Sequence, residues 1–142
     1  MPLAKIATAT VIAAVLAVIA NVLLRALAVA VLDIPQPGFE PLETRAVITS
    51  TAGGVIVAGI VYAIIDRLTN DPVKTFRMLA VIALAFSLYA PIALLLEDPP
   101  ENPGTDGGSV GTLILMHVIS AAIAVVALTG GGRGRGRDRD PS

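Results

Sequence analysis

The hydrophobic positions of this chain fall into four long runs that are separated by short polar segments. Residues 6–32 carry a single charge, Arg25, and the next run, 46–65, carries none. The third run covers 78–96, and the fourth is apolar over 110–128. Each is close to the roughly 20 apolar residues that an α-helix needs to cross about 30 Å of hydrocarbon. The pattern therefore predicts four membrane-spanning helices.

None of the runs alternates strictly between apolar and polar positions, as the strands of a membrane barrel do. Because lipid cannot hydrogen-bond the backbone, helices are the remaining way to cross it. We predict an all-α fold: a polytopic membrane protein with four transmembrane helices in an antiparallel bundle. The membrane domain is expected over 1–129, followed by a disordered, Arg/Gly-rich cytoplasmic tail over 130–142. The helices are expected at about 4–32, 45–66, 75–96 and 109–129.

A cleaved signal peptide is the competing interpretation of the first run. Lys5 precedes the run, and Ala28-Val29-Ala30 could serve as a cleavage site. However, the run is 27 residues long, whereas the apolar core of a signal peptide has roughly 7–15. We therefore expect the first run to remain as a helix.

Composition agrees with lipid as the solvent of this chain. Its hydrophobic fraction is 55% and its mean hydropathy +0.82, above the ~45–50% apolar content of soluble domains. There is no cysteine, which excludes disulfides and thiolate chemistry. One histidine, His117, cannot supply the three or four protein ligands of a usual zinc site. We expect no metal and no cofactor.

Basic residues lie mainly on one side of the predicted membrane, and such residues mark the cytoplasmic side. With the N-terminus inside, the outer loops hold only Arg45. Both termini of this multi-pass protein of the cell membrane are thus expected in the cytoplasm. Tail arginines would contact anionic headgroups, at ~1 kcal/mol per charge, and no nucleic acid is expected. The inner basic residues are Lys5, Arg67, Lys74, Arg77, Arg133, Arg135, Arg137 and Arg139.

Polar residues inside the apolar runs are the candidates for a site, because polar groups in hydrocarbon are costly. Asn21 and Arg25 are four residues apart and His117 and Ser120 three apart, spacings that place each pair on one helix face. Counted from the outer helix ends, Arg25, His117 and Tyr89 share one level, about 12 Å deep at 1.5 Å per residue. The Thr-Ser-Thr segment of the second helix adjoins this level. We expect these five residues to form a ligand or partner site.

Arg25 gives the sharpest hypothesis, because no Asp or Glu lies inside any of the four runs. Within the chain it could meet Asn21, Tyr89, neutral His117, backbone carbonyls or water. From outside, it could meet a lipid phosphate, an anionic ligand or an acidic residue of a partner. A shorter first span would let Arg25 snorkel to the interface, but would expose apolar residues 26–32 to water at ~25 cal/mol per Å². We expect Arg25 to be buried or half-buried.

A purely structural polar layer is the alternative. Polar side chains on membrane helices commonly hydrogen-bond neighbouring helices, at ~0.6 kcal/mol each. Ser50, Gly54 and Ala58 form a stripe of small residues that is typical of close helix packing. Tyr89 could equally be an anchor at the membrane interface.

Enzymatic activity is not expected, because the chain has no phosphate loop, dinucleotide fingerprint or Ser-His-Asp set. It also lacks the carboxylate in the first helix that proton-coupled small multidrug transporters need. Our first hypothesis is a non-enzymatic interaction or anionic-ligand-binding protein with a polar layer in the outer half of the bundle. The alternative is a small oligomeric transporter or channel subunit. Expected partners are the bilayer and either another membrane protein or a second copy of the chain.

Four short segments carry a family resemblance that covers nearly the whole chain. They are Ala-Asn-Val-Leu-Leu-Arg (20–25), Pro-Gly-Phe-Glu-Pro-Leu (37–42), Lys-Thr-Phe-Arg (74–77) and Met-His-Val-Ile-Ser-Ala (116–121). With them the chain resembles an uncharacterised family of four-helix prokaryotic membrane proteins, a domain of unknown function. The resemblance implies no activity, but it directs attention to Asn21, Arg25 and His117.

Overall fold

The computed structural model of the chain describes residues 1–34, 39–96 and 105–130. Within these ranges all regular structure is helical, and no strand occurs. The helices are α1 (Leu3–Leu32), a 3₁₀ turn (Glu40–Leu42), α2 (Thr44–Leu68), α3 (Pro72–Ser87), α4 (Tyr89–Leu96) and α5 (Gly107–Gly130).

Four segments of this structure are long and apolar enough to cross a membrane: α1, α2, α3 with α4, and α5. The predicted all-α fold with four spans is therefore confirmed. Gly130, which the sequence assigned to the tail, is the last residue of α5. The remaining tail, 131–142, lies outside the described residues.

Local sequence explains where α3 and α5 begin. Pro72 is the first residue of α3, where its missing N–H leaves no hydrogen bond unmade. The side chain of Asp71 accepts a hydrogen bond from the backbone N–H of Lys74 at 3.1 Å. Asp106 caps α5 in the same way, accepting from the backbone N–H of Ser109 at 2.6 Å. Short acidic side chains at these positions satisfy backbone donors that a helix start leaves unpaired.

The third span consists of two helices, whereas the sequence predicted one over 75–96. α3 ends at Ser87, and Leu88 joins it to α4. Pro91, four residues after Ser87, has no N–H with which to bond the Ser87 carbonyl, and its ring crowds that carbonyl. The helical hydrogen-bonding pattern is therefore interrupted at this point.

α1 packs closely against α2 and α5 through small residues. Ala13 and Ala17 are fully buried and contact a cluster that includes Val55 of α2 and Ala124 of α5. Farther along, a Cβ added to Gly59 would lie 2.2 Å from Thr10 Oγ1. Only a residue without a side chain permits this approach of the two backbones.

Larger side chains fill the two ends of the bundle. At the Leu42 end, the 3₁₀ turn and Phe39 pack among α1, α2 and α5. At the Tyr62 end, α3 joins the core, and the amino group of Met1 pairs with Asp66 of α2. The buried residues of the Leu42 end are Ala28, Ile34, Phe39, Leu42, Val47, Leu113 and Met116. Those of the Tyr62 end are Ile6, Tyr62, Ile65, Phe76 and Leu128.

α3 packs far more loosely than α1. Of its 16 residues, Phe76 alone is buried. The Phe76 ring meets the Tyr62 ring edge-on, with centroids 5.0 Å apart and planes at 78°. The opposite face of α3 and α4 is apolar and exposed, as expected for a surface in contact with lipid.

Candidate functional site

Asn21 joins three helices at the centre of the bundle. Its side chain is 1% exposed. Its Nδ2 donates hydrogen bonds to Thr51 Oγ1 of α2 at 2.9 Å and to Ser120 Oγ of α5 at 2.8 Å. Its Oδ1 is buried and accepts no hydrogen bond from any described residue. The amide is therefore only half satisfied.

The hydroxyls of Thr51 and Ser120 differ from most others in these helices. Within the described residues, their hydrogen bonds are those accepted from Asn21, so each keeps its own proton to donate. A helical Ser or Thr commonly donates that proton to a carbonyl of the preceding turn instead. The residues that do so here are Thr8, Thr10, Thr49, Ser50, Thr69, Thr75, Ser87, Thr112 and Thr129.

His117 adds a second acceptor. Its ring is half-buried, and its Nδ1 lies 2.7 Å from the Leu113 carbonyl oxygen. Because a carbonyl can only accept, Nδ1 carries the proton, and Nε2 of the neutral ring is an acceptor. Ser120 lies three residues farther along α5, on the same side of the helix.

A cavity of about 610 Å³ lies beside these residues, between α2, α3 and α5. Four polar residues from three helices line one part of it, and we call them the polar patch: Asn21, Thr51, His117 and Ser120. The rest is mostly apolar, with Val55, Leu79, Ala83, Leu113 and Met116 among its residues.

The cavity opens on the surface of the bundle that faces lipid. Gly54 and Val57 of α2 and Ile82 of α3 line it and are exposed. An apolar molecule could therefore enter from the bilayer, between α2 and α3. Pro41 of the 3₁₀ turn lines the cavity as well, at the Leu42 end.

Arg25 lies one helical turn from Asn21, outside the residues that line the cavity. It is half-buried, and its Nε donates a hydrogen bond to the Leu42 carbonyl. The guanidinium thereby holds the 3₁₀ turn against α1. A partner or anion at Arg25 stays a prediction, and it concerns the Leu42 end rather than the cavity.

Of the other residues singled out from the sequence, one lies away from the cavity and three lie in its wall. Tyr89 is 75% exposed and does not line the cavity, so the structure does not bring it to the polar patch. Ser50 and Gly54 line the cavity and are exposed, and nothing lies within 4 Å of a Cβ added to Gly54. Ala58 also lines the cavity, is half-buried and packs against the cluster of Ala13, Ala17, Val55 and Ala124. The close helix contact lies one position farther, at Gly59.

Sequence reasoning did not single out Thr51 as a site residue. The signal was present, because the Thr-Ser-Thr segment adjoins the predicted level of Arg25, His117 and Tyr89. What distinguishes Thr51 from Thr49 and Ser50 is the direction in which it points, and this depends on how α2 is rotated in the bundle.

The four long apolar helices define the chain as a multi-pass helical membrane protein. A family model described as a family of unknown function (DUF6069) matches residues 2–134. The chain belongs to this family, and the resemblance to an uncharacterised family is confirmed. No curated protein and no solved structure matches the chain.

Proposed function

We propose that this protein is a non-enzymatic binding protein for an amphiphile, an apolar molecule with a small polar head, taken from the surrounding bilayer. The observation that carries the proposal is a half-satisfied amide, Asn21, beside an apolar cavity that opens toward lipid. By the charge distribution of the loops, the site would lie in the outer half of the membrane, with both termini in the cytoplasm.

The size and composition of the cavity support a ligand. Small-molecule sites typically enclose about 300–1,000 Å³, with apolar walls and a few polar groups that orient the ligand. This cavity, at about 610 Å³, lies within that range. Its volume suits a chain or ring system of moderate size rather than a single water.

The bonding of the polar patch argues against a purely structural role. A buried polar atom without a partner costs about 1–3 kcal/mol, so a layer serving only to hold helices together should satisfy its own groups. Here Asn21 Oδ1 is unsatisfied, and the protons of Thr51 and Ser120 are not used within the described residues. The described residues thus leave one acceptor and two donors unused, which is what a ligand at the polar patch would require.

The cavity favours a neutral head over the anionic one that the sequence suggested. Its lining includes no Lys, Arg, Asp or Glu, and Arg25 is engaged with the 3₁₀ turn. Burying an anion without a cation is far more costly than burying a neutral polar group. The lining also has no carboxylate or thiol to pair with His117, which supports binding rather than catalysis.

Two glycines provide a matched test. Gly54 lines the cavity and Gly53 does not, yet both are exposed and neither has an atom within 4 Å of an added Cβ. The probe is a hexadecanol that carries a diazirine and an alkyne, photolysed with the full chain in phosphatidylcholine nanodiscs. Labelling is located by peptide mass spectrometry and challenged with unlabelled hexadecanol.

We expect saturable labelling of α2, α3 and α5 that Gly54→Leu abolishes and Gly53→Leu preserves. Equal labelling of both variants, or labelling that excess hexadecanol does not reduce, would mean ordinary contact with lipid and would refute the proposal. If the wild type carries the probe from one leaflet to the other in vesicles, whereas Gly54→Leu does not, the chain is a transporter.

A further inference from the structure

The polar patch offers acceptors and donors in a combination that few neutral heads can match. Asn21 Oδ1 and His117 Nε2 are acceptors that bind no described residue. Thr51 and Ser120 each accept from Asn21 and keep a proton to donate. A fitting head must therefore donate at least one hydrogen bond and can accept others.

This requirement separates the classes of neutral amphiphile. Quinone, ester and ether oxygens only accept, so they would leave the buried Oδ1 unsatisfied at a cost of about 1–3 kcal/mol, and they would give Nε2 no donor. A hydroxyl both donates and accepts. It can donate to Nε2 or Oδ1 while it accepts from Ser120 or Thr51.

The same conclusion holds if the Asn21 amide is turned over. Its Oδ1 would then accept from the two hydroxyls, and Nδ2 would be the unused group. A ligand hydroxyl would accept from Nδ2 and still donate to His117 Nε2. In the first arrangement an alcohol donates to one of the two acceptors, Oδ1 or Nε2, and in the second it satisfies both Nδ2 and Nε2. A head that only accepts leaves Nε2 without a donor in either arrangement.

We propose that the cavity selects an un-ionised membrane alcohol, with a long-chain, isoprenoid or ring body in the apolar part and its hydroxyl at the polar patch. This inference rests on the proposed function and specifies the ligand class of the same site. It assigns His117 Nε2 as an acceptor for the ligand, a role that a helix-packing histidine would not have.

Three probes that share one body test the head group. Farnesol, farnesyl methyl ether and farnesyl phosphate each compete with the photoreactive hexadecanol for the full chain in phosphatidylcholine nanodiscs, at equal mole fractions in the bilayer. We expect farnesol to compete at least about tenfold better than the ether, since the ether forfeits one or more buried hydrogen bonds. The phosphate should compete no better than the ether.

Matched variants test which residues recognise the hydroxyl of the ligand. His117→Phe, which keeps a ring but removes the acceptor Nε2, should reduce the preference for farnesol over its ether to less than about threefold, through loss of the hydrogen bond that only the alcohol donates. Ser120→Ala and Thr51→Val should weaken competition by farnesol and by its ether alike, because both ligand oxygens accept from those hydroxyls. Ser87→Ala, in the cavity wall, and Thr49→Val should change neither competition nor preference, because those hydroxyls already donate to the Leu84 and Arg45 carbonyls.

The outcomes distinguish this inference from the proposal on which it rests. Equal competition by alcohol and ether, with binding still lost in Gly54→Leu, overturns the alcohol and leaves amphiphile binding intact. Stronger competition by the phosphate overturns it in favour of an anion. If the hexadecanol probe itself fails to label the cavity, both proposals are wrong.

Discussion

The two sides of this bundle are built in opposite ways. Where α1 meets α2, small residues bring the backbones so close that Gly59 has room for no side chain beside Thr10. Where α3 meets α2 and α5, Phe76 is the one buried residue of α3, and a cavity of about 610 Å³ remains. Close packing is therefore confined to the side that holds Asn21 in place.

The difference follows from how helices associate in lipid. Hydrocarbon is as apolar as the side chains, so helices are held by van der Waals packing and hydrogen bonds rather than by the hydrophobic effect. A gap between helices is then not closed by the exclusion of water, since lipid or a ligand can occupy it. The rigid α1–α2–α5 side positions the polar patch, and the loose α3 side leaves access to it.

Removing the ring that attaches α3 should have the largest effect on stability. We expect Phe76→Ala to lower the free energy of unfolding by about 3 kcal/mol, because a buried Phe→Ala substitution leaves a void as well as removing contacts. The measurement is unfolding in mixed micelles. Because the chain has no cysteine, spin labels can be placed at Val11 and Val81 to measure the distance between α1 and α3.

The control for this variant is Val81→Ala on the exposed face of α3. It should change the free energy of unfolding by less than about 0.5 kcal/mol, as surface substitutions commonly do. If Phe76→Ala leaves both stability and the α1–α3 distance unchanged, the single-ring attachment of α3 is wrong.

Overpacking the close contact between α1 and α2 should have the next largest effect on stability. Gly59→Ala should destabilise the protein by about 1–3 kcal/mol, because its Cβ would meet Thr10 Oγ1 at 2.2 Å and force α1 and α2 apart. The same substitution at Gly53, where nothing lies within 4 Å, should be neutral or slightly stabilising. Thr10→Ala should recover part of the loss in the Gly59→Ala background. Unfolding midpoints of Gly59→Ala, of Thr10→Ala and of the double variant show whether it does.

The sequence predicted the helices because their length and apolarity depend only on the thickness of the hydrocarbon. It did not predict the break at Leu88, although Pro91 was visible, because a proline in a membrane helix is accommodated in several ways. The sequence also did not predict how each helix is rotated about its axis. With apolar residues all round a helix, little in the pattern indicates which face is buried.

The rotation of the helices, which the sequence did not predict, explains which candidate residues meet at the site and which do not. Asn21 and Ser120 were predicted to belong to one candidate site, and their side chains are hydrogen-bonded. Tyr89 lies at a comparable depth by residue count but points outward, after the break between α3 and α4. Arg25 is on the next turn from Asn21, and its long side chain reaches the Leu42 carbonyl, a partner whose position depends on the fold of the turn.

The smallest expected effect on stability concerns the start of α5, a helix that packs closely against α1. The backbone N–H of Ser109 stabilises the charged carboxyl and lowers the pKa of Asp106 from its ordinary value of 3.8. A lowered pKa in the folded state means that the stabilisation is present above pH 3.8 and is lost as the pH falls through the lower, folded-state pKa. Asp106→Ala should cost about 1 kcal/mol near neutral pH, the usual effect of losing a helix cap.

Asp106→Asn separates the cap from its charge. Asparagine caps a helix about as well as aspartate but does not titrate, so this variant should keep most of the stability at pH 7 and lose the acid-dependent part. Unfolding midpoints in detergent at pH 7 and pH 3 measure both effects. If Asp106→Asn and the wild type lose the same stability between these pH values, the acid dependence arises elsewhere. Because the cap lies at the end of α5, neither variant should change ligand labelling of the cavity, whereas Gly54→Leu should abolish it.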